Sequence, residues 1–217
     1  MSVRLISKSF GSLAAQLPLA TRGQRIGLLG GSFNPPHRTH VAISETVLKR
    51  LALDQVWWLV SPGNPLKARD GMAPLAERFA SAVGRTGNGC MRVTDVEREL
   101  GTAYTAEAVA ALVARYPRLS FVWIMGADNL AQIPAWKDWS SIFNTVPVAV
   151  FARPHYIERA LSGAASARFR EARLPERATR TLLKHRPPAW VFVHSRLHAV
   201  SASAIRARRQ AQARPSG

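Results

Sequence analysis

The sequence predicts a doubly wound α/β fold, a parallel sheet covered by helices on both faces. Three observations carry that prediction. Runs apolar at nearly every position, such as Val56–Val60, Val146–Phe151 and Trp190–Val193, have the length and two-sided hydrophobicity of central parallel strands. The stretches between them repeat apolar residues at helical spacing. Turn residues bound each run, so strands alternate with helices along most of the chain.

The elements follow in order. Arg25–Leu29 reads as the first strand, and Gly30-Gly-Ser-Phe-Asn-Pro-Pro36 as a turn in which glycines permit tight bending and the prolines forbid a helix from extending backwards. A helix from His37 or Arg38 to Leu51 is indicated by Val41, Val47, Leu48 and Leu51, which fall on one face. Val56–Val60 then completes a βαβ unit. A helix over Pro74–Val83, a strand at Met91–Val96, a helix over Thr105–Arg115 and a strand at Leu119–Met125 continue the alternation. Strands at Val146–Phe151 and Trp190–Val193 close it, with helical pieces between and after them. Trp57, Trp58 and Trp123 lie in strands and are expected to be packing residues. Ligands of such sheets bind beyond the carboxyl ends of the strands, so the post-strand loops are where chemistry is expected.

A chain of 217 residues suits one domain, and 47% hydrophobic residues supply a core that a disordered chain would lack. The boundaries expected are a basic, flexible N-terminal extension over 1–24, one domain over 25–209 and a flexible tail over 210–217. The extension has the composition of a transit peptide, without acids and with Arg4, Lys8 and Arg22, but a ragged basic leader to the first strand is the preferred reading. Thirty Lys and Arg against thirteen Asp and Glu give a net charge of +17, which favours anions: nucleotides, phosphates, nucleic acid or acidic lipid. Cys90 is the lone cysteine, expected to be a small packed side chain in a reducing compartment. No apolar run nears the roughly 20 residues that span a bilayer, so a soluble, cytoplasmic protein is expected.

Chemistry concentrates in Gly30-Gly-Ser-Phe-Asn-Pro-Pro-His37-Arg-Thr-His40, between the first strand and first helix. Glycines admit a phosphate close to the backbone, and a helix start offers free N–H groups and a positive dipole end. Histidines three apart on that turn share a side and can both donate to one anion. The dipole end would disfavour their charged form, so neutral imidazoles are expected. A metal site is not indicated, since no Cys, Asp, Glu or third His completes a ligand set. Neither a P-loop nor a dinucleotide fingerprint fits, because no Gly-Lys-Ser/Thr follows and the third glycine is missing.

This element resembles the GxFxPxHxGH motif of the nucleotidyltransferase superfamily, and Val200-Ser-Ala-Ser-Ala-Ile-Arg206 resembles its second motif, of ISxTxxR type. Val60-Ser-Pro-Gly-Asn-Pro-Leu-Lys67, Leu100-Gly-Thr-Ala-Tyr-Thr105 and Trp123-Ile-Met-Gly-Ala-Asp-Asn-Leu130, followed by Trp136 and Trp139, narrow the resemblance to nicotinate-nucleotide adenylyltransferases. One departure is Thr39, where the family usually has Gly; its side chain either crowds the triphosphate or faces solvent.

The resemblance implies a Rossmann-like sheet with a small C-terminal helical part, and transfer of an adenylyl group from ATP to nicotinate mononucleotide. His37, His40 and Arg206 would be catalytic. Gly30, Gly31, Ser32, Phe33, Asp128, Ser201, Ser203 and Ile205 would bind ATP, and Asn64, Lys67, Thr105, Trp136 and Arg153 the acceptor. Mg²⁺ would enter with ATP, held by phosphate oxygens and water. Nicotinamide mononucleotide and phosphopantetheine are alternative acceptors. The partners expected are these small molecules, with self-association into a homo-oligomer compatible with the sequence. A membrane partner is not expected, and a basic nucleic-acid-binding protein is the reading from another class, disfavoured because no helix-turn-helix, RNP or zinc pattern is present.

Overall fold

A strand apolar on both faces is stable only between two covering layers, and Gln55–Val60 (β2) is buried at all six positions. The computed structural model describes residues 18–63, 71–87 and 89–194. The other strands are Arg25–Gly31 (β1), Met91–Thr94 (β3), Ser120–Gly126 (β4), Val148–Phe151 (β5), Arg173–Leu174 (β6) and Trp190–Val193 (β7). They form one sheet in the order β3-β2-β1-β4-β5-β7-β6, and every pairing is parallel.

The helices are Arg38–Arg50 (α1), Leu75–Thr86 (α2), Val96–Glu99 (α3), Thr105–Arg115 (α4), Ala127–Gln132 (α5), Trp139–Thr145 (α6), Ile157–Leu161 (α7) and Ala164–Arg168 (α8). Two hydrophobic clusters lie on opposite faces of the sheet. Leu28, Trp57 and Trp123 pack with Leu112 of α4 and Phe143 of α6 on one face, while Leu29, Trp58 and Ile124 pack with Val47 of α1 and its C-cap residue Leu51 on the other. The partition of Leu28 from Leu29 and of Trp57 from Trp58 is the period-two alternation of strands. The three strand tryptophans expected to be packing are at most 1% exposed, and each buried ring contributes roughly 4–6 kcal/mol of transfer free energy at 150–250 Å².

One polar contact fixes how α1 docks. Trp58 Nε1 donates to Ser44 Oγ at 2.8 Å, and Ser44 Oγ donates to the His40 carbonyl at 2.8 Å. The indole N–H is thereby satisfied in the core, and the first turn of α1 is tied to the neighbouring strand.

Some boundaries differ from the sequence reading. β1 continues through Gly31 rather than ending at Leu29. β3 stops at Thr94, short of Val96, because the Thr94 hydroxyl takes the Val96 N–H and opens α3. β5 begins at Val148, since Val146 still caps α6. The two-residue edge strand β6 was too short to show a period. Cys90 is exposed rather than packed, because it sits in the turn leading into β3, where its carbonyl accepts the Val56 N–H. Within the stretch assigned to the basic extension, Pro18 is buried, the Leu19 carbonyl accepts from Gln55, and the Gly23 N–H donates to the Arg118 carbonyl. Any helical part after β7 lies outside the described residues. Among those described, no helix is long and apolar enough to cross a membrane.

From β1 the chain winds outward to β2 and β3, then returns past β1 to β4. The carboxyl ends of β1 and β4 therefore flank the point where the winding reverses, the place where open α/β sheets bind ligands.

Candidate active site

Both sides of that crevice carry residues singled out in the sequence. On the β1 side, Gly31 and Ser32 lead to Phe33, whose φ of 44° is a conformation that side-chain-bearing residues rarely adopt. Burial holds it there: the Phe33 ring is 1% exposed and stacks on Trp58 with centroids 4.9 Å apart. With its ring committed to the core, Phe33 offers a ligand only its backbone.

The chain then reaches His37, the N-cap of α1, and His40 in its first turn. Their ring centroids are 4.0 Å apart, so the spacing does bring them to one side. The His37 backbone N–H donates to His40 Nδ1 at 3.2 Å. An Nδ1 that accepts carries no proton, so neutral His40 bears its hydrogen on Nε2, a donor directed away from the helix backbone contact. His37 is 5% exposed, and its Nδ1 is buried with no partner among the described residues.

Both imidazoles are held neutral. Burial foremost, then the neighbouring His37 and Arg153, brings His40 down to about 3; burial, then Arg153 and Arg85, brings His37 to about 4. The expected neutrality stands, but its chief cause is desolvation with cationic neighbours rather than the helix dipole. Arg85, in the last turn of α2, was not singled out in the sequence.

Gly30 also needs a different explanation. A Cβ there would lie 2.5 Å from Trp123 Cη2, so the missing side chain is required by an indole packed across the strand. Its φ is not positive, and the tight turn falls at Phe33 instead. Gly30→Ala is expected to lower stability by about 1–3 kcal/mol through overpacking, read as a drop in the midpoint of thermal unfolding; an unchanged midpoint would show that Trp123 yields freely. Thr39 is 6% exposed, which excludes the solvent-facing alternative.

On the β4 side, Gly126 caps α5 and Asp128 follows in its first turn. Asp128 Oδ2 accepts from Arg153 Nη1 at 2.5 Å in a largely buried ion pair, while Asp128 Oδ1 is buried without a partner among the described residues. The sequence assigned these two residues to different substrates; the structure joins them, and the Arg153 charge acts on both histidines.

Thr105 opens α4, half-buried. The preceding loop is ordered by Thr102, whose hydroxyl accepts the Tyr104 N–H at 3.0 Å and donates to Glu107. Lys137 ties the turn that carries Trp136 to this loop, bonding Glu107 at 2.9 Å and lying 4.3 Å from the Tyr104 ring centroid. Trp136 is half-buried and packed against the core. Asn64, Lys67, Ser201, Ser203, Ile205 and Arg206 lie outside the described residues.

Glu97, in α3 just past β3, was missed because Glu97-Arg98-Glu99 reads as a surface charge run. It is 3% exposed, bonded to Ser61, and pushed up to about 7 chiefly by burial. Between its unfolded value of 4.5 and about 7 the folded state holds more protons, so stability falls as pH rises through that window and levels off above it. Glu97→Gln removes that decline. The stability difference between variant and wild type is expected to shift toward the variant by roughly 3 kcal/mol from pH 4 to pH 8, measured by urea unfolding; a pH-independent difference would refute the buried protonated carboxyl.

Residues 28–208 match the cytidylyltransferase-like family. The chain is 46% identical over 190 residues to a probable nicotinate-nucleotide adenylyltransferase of Rhizobium johnstonii, covering 88% of this chain and 96% of that protein. A probable nicotinate-nucleotide adenylyltransferase of Cereibacter sphaeroides is 50% identical over 182 residues, covering 84% and 96%. The chain belongs to the nicotinate-nucleotide adenylyltransferase family.

Solved structures carry the same fold at much lower identity. The Plasmodium falciparum nicotinic acid mononucleotide adenylyltransferase complexed with NaAD aligns with a TM-score of 0.63 at 15% identity, over 85% of this chain and 83% of that one. The same protein complexed with APC aligns with a TM-score of 0.62 at 14% identity. In this adenylyltransferase fold the paired histidines and the Asp128–Arg153 pair occupy the two lips of one crevice. Among the described residues no group of three or more His, Cys, Asp or Glu is placed to hold a metal ion.

Proposed function

We infer that this chain transfers the adenylyl group of ATP to nicotinate mononucleotide, forming nicotinate adenine dinucleotide and releasing pyrophosphate, a step of NAD biosynthesis in the cytoplasm. The observation that carries the residue roles is the pair of neutral imidazoles at the start of α1, set in the β1–β4 crevice beside Arg153.

The substrates divide the crevice. ATP enters as its magnesium complex, a substrate whose metal is held by phosphate oxygens and water. The backbone of Gly30, Gly31, Ser32 and Phe33 lines its phosphates, and Asp128 Oδ1, without a partner among the described residues, accepts from ribose hydroxyls. Thr105 and Trp136 receive the pyridine ring and its carboxylate. Asn64 and Lys67, in the loop after β2, serve the phosphate or ribose of the acceptor, and the late motif assigns Ser201, Ser203, Ile205 and Arg206 to ATP and its leaving phosphates, with Arg206 also catalytic.

In the reaction, an oxygen of the acceptor phosphate forms a bond to the α-phosphorus, and the α–β bridging bond breaks with its electron pair leaving on pyrophosphate. A phosphate oxygen is already an adequate nucleophile, so the site needs no general base; catalysis rests on in-line placement and on donors aimed at the charge that builds. His40 Nε2–H and His37 supply such donors without the cost of protonating a buried ring, and Arg153 adds positive potential.

The test is pyrophosphate release by the purified protein from ATP and Mg²⁺ with nicotinate mononucleotide, nicotinamide mononucleotide or phosphopantetheine supplied singly. Preference for the nicotinate acceptor is expected. Equal or better use of another acceptor overturns the substrate assignment, and silence with all three overturns the activity.

A further inference from the structure

Arg78, in α2, is 2% exposed, yet among the described residues it makes no ion pair. Its guanidinium is spent on backbone carbonyls. Nε donates to Ala73 at 2.8 Å, Nη1 to Ser32 at 2.7 Å and to Ser61 at 2.8 Å, and Nη2 to Pro62 at 3.2 Å. Three separate segments meet on one planar group: the loop after β1, the loop after β2 and the entry to α2.

A buried guanidinium remains charged, and removing it from water costs several kcal/mol unless neighbours compensate. Carbonyl dipoles compensate here, and among the described residues no carboxylate pairs with the charge. The cation therefore stands behind Ser32, in the loop that lines the ATP phosphates, and simultaneously holds the Ser61–Pro62 segment that leads toward Asn64 and Lys67. Asn34, in the loop after β1, adds a second tie to the segment ahead of α2, donating to the Gly71 carbonyl at 2.9 Å and accepting the Ala73 N–H at 3.4 Å.

We propose that Arg78 is a positioning residue for adenylyl transfer: it locks the donor-phosphate loop after β1 to the acceptor-side loop after β2, setting the approach of the two substrates. The proposal rests on reading the post-β1 loop as the ATP site. Lysine keeps the charge but cannot reproduce a fork to four carbonyls, so Arg78→Lys separates geometry from charge. Misplacement on the ångström scale costs up to about 10²-fold in rate.

The experiment compares wild type, Arg78→Lys and Arg78→Gln in pyrophosphate release, well below each protein's unfolding midpoint. In Arg78→Lys, kcat is expected to fall about 10- to 10²-fold with both KM values within about threefold; Arg78→Gln, lacking the charge as well, also raises KM for ATP. A folded Arg78→Lys with kcat within twofold of wild type overturns the proposal. The Arg78 Nε–H resonance of the wild-type chain gives a second readout that requires no variant to fold. It should shift on adding ATP and, separately, on adding nicotinate mononucleotide, whereas a resonance indifferent to both overturns the proposal. Wild type inactive with every acceptor would condemn the proposed function, while the response to ATP alone would still judge Arg78.

Discussion

Alanine in place of His40 is expected to lower kcat about 10²- to 10³-fold, the effect of losing one preorganised donor to a developing oxyanion, roughly 2.7–4 kcal/mol. The geometry argues for a turnover effect rather than an affinity effect. In the proposed reaction, a neutral N–H donor to the phosphates gains most when charge accumulates on the leaving oxygens. Some of the loss will be structural, since the His40 ring packs 4.7 Å from Phe33 and its Nδ1 takes the His37 N–H. Glutamine, which keeps an N–H on a side chain of similar reach, should recover part of the rate. Steady-state kinetics with a thermal unfolding control decides the matter, and wild-type turnover in a folded His40→Ala protein would remove the catalytic role. The same substitution should soften acid sensitivity. His40 is held near 3 against 6.5 unfolded, so stability is lost as pH falls through that window, and deleting the ring deletes its share.

Arg153→Ala is expected to reduce kcat/KM for ATP by about 10²-fold, the scale of a lost charge-assisted contact of 1.5–3 kcal/mol plus an orphaned carboxylate. Three consequences should appear together. Asp128 loses its partner in a largely buried position, the phosphates lose a neighbouring cation, and the two imidazoles lose a charge that opposes their protonation. NMR titration of the histidine rings isolates the third. Both midpoints should rise from about 4 and about 3, yet stay below 6.5 because burial is the larger cause. Midpoints that do not move would disprove the electrostatic coupling, whatever happens to the rate. Arg153→Lys should restore the midpoints more fully than the rate, because an ammonium keeps the charge without the planar fork.

Much of the site could be read from local sequence, where the physics is local. Gly30 to His40 announces a strand end, a turn and a helix start within a dozen residues, and the structure places the two histidines side by side as their spacing implies. What needed tertiary knowledge was hidden. That Gly30 must lack a side chain because the Trp123 indole crosses the strand cannot be read from its neighbours in sequence. The Asp128–Arg153 pair becomes visible only with the parallel register that sets Gly126 beside Phe151, each acid or base then lying two residues past a strand end. Arg78 and Glu97 were invisible for a different reason. Charged residues on helices are ordinarily solvated, and nothing beside Arg78 or Glu97 in sequence signals that loops at the carboxyl ends of β1 and β2 enclose them. The acidic run around Glu97 and the amphipathic pattern around Arg78 both pointed to the surface.

The hydrogen-bond bridge from Trp58 through Ser44 to the His40 carbonyl has a consequence for how this protein can change over time. His40 rests on rings of the hydrophobic interior, and its backbone is fastened to a strand buried along its whole length. Under the role proposed for His40, cohesion and chemistry in that corner depend on the same atoms. A lineage that drifts at Ser44, Phe33 or Trp58 cannot trade robustness for speed in the usual way, because loosening the scaffold blunts the reaction as well. Adaptive freedom is correspondingly displaced to the loop before α4 and the turn before α6, where Tyr104 and Lys137 are exposed and Thr105 and Trp136 are only half-buried.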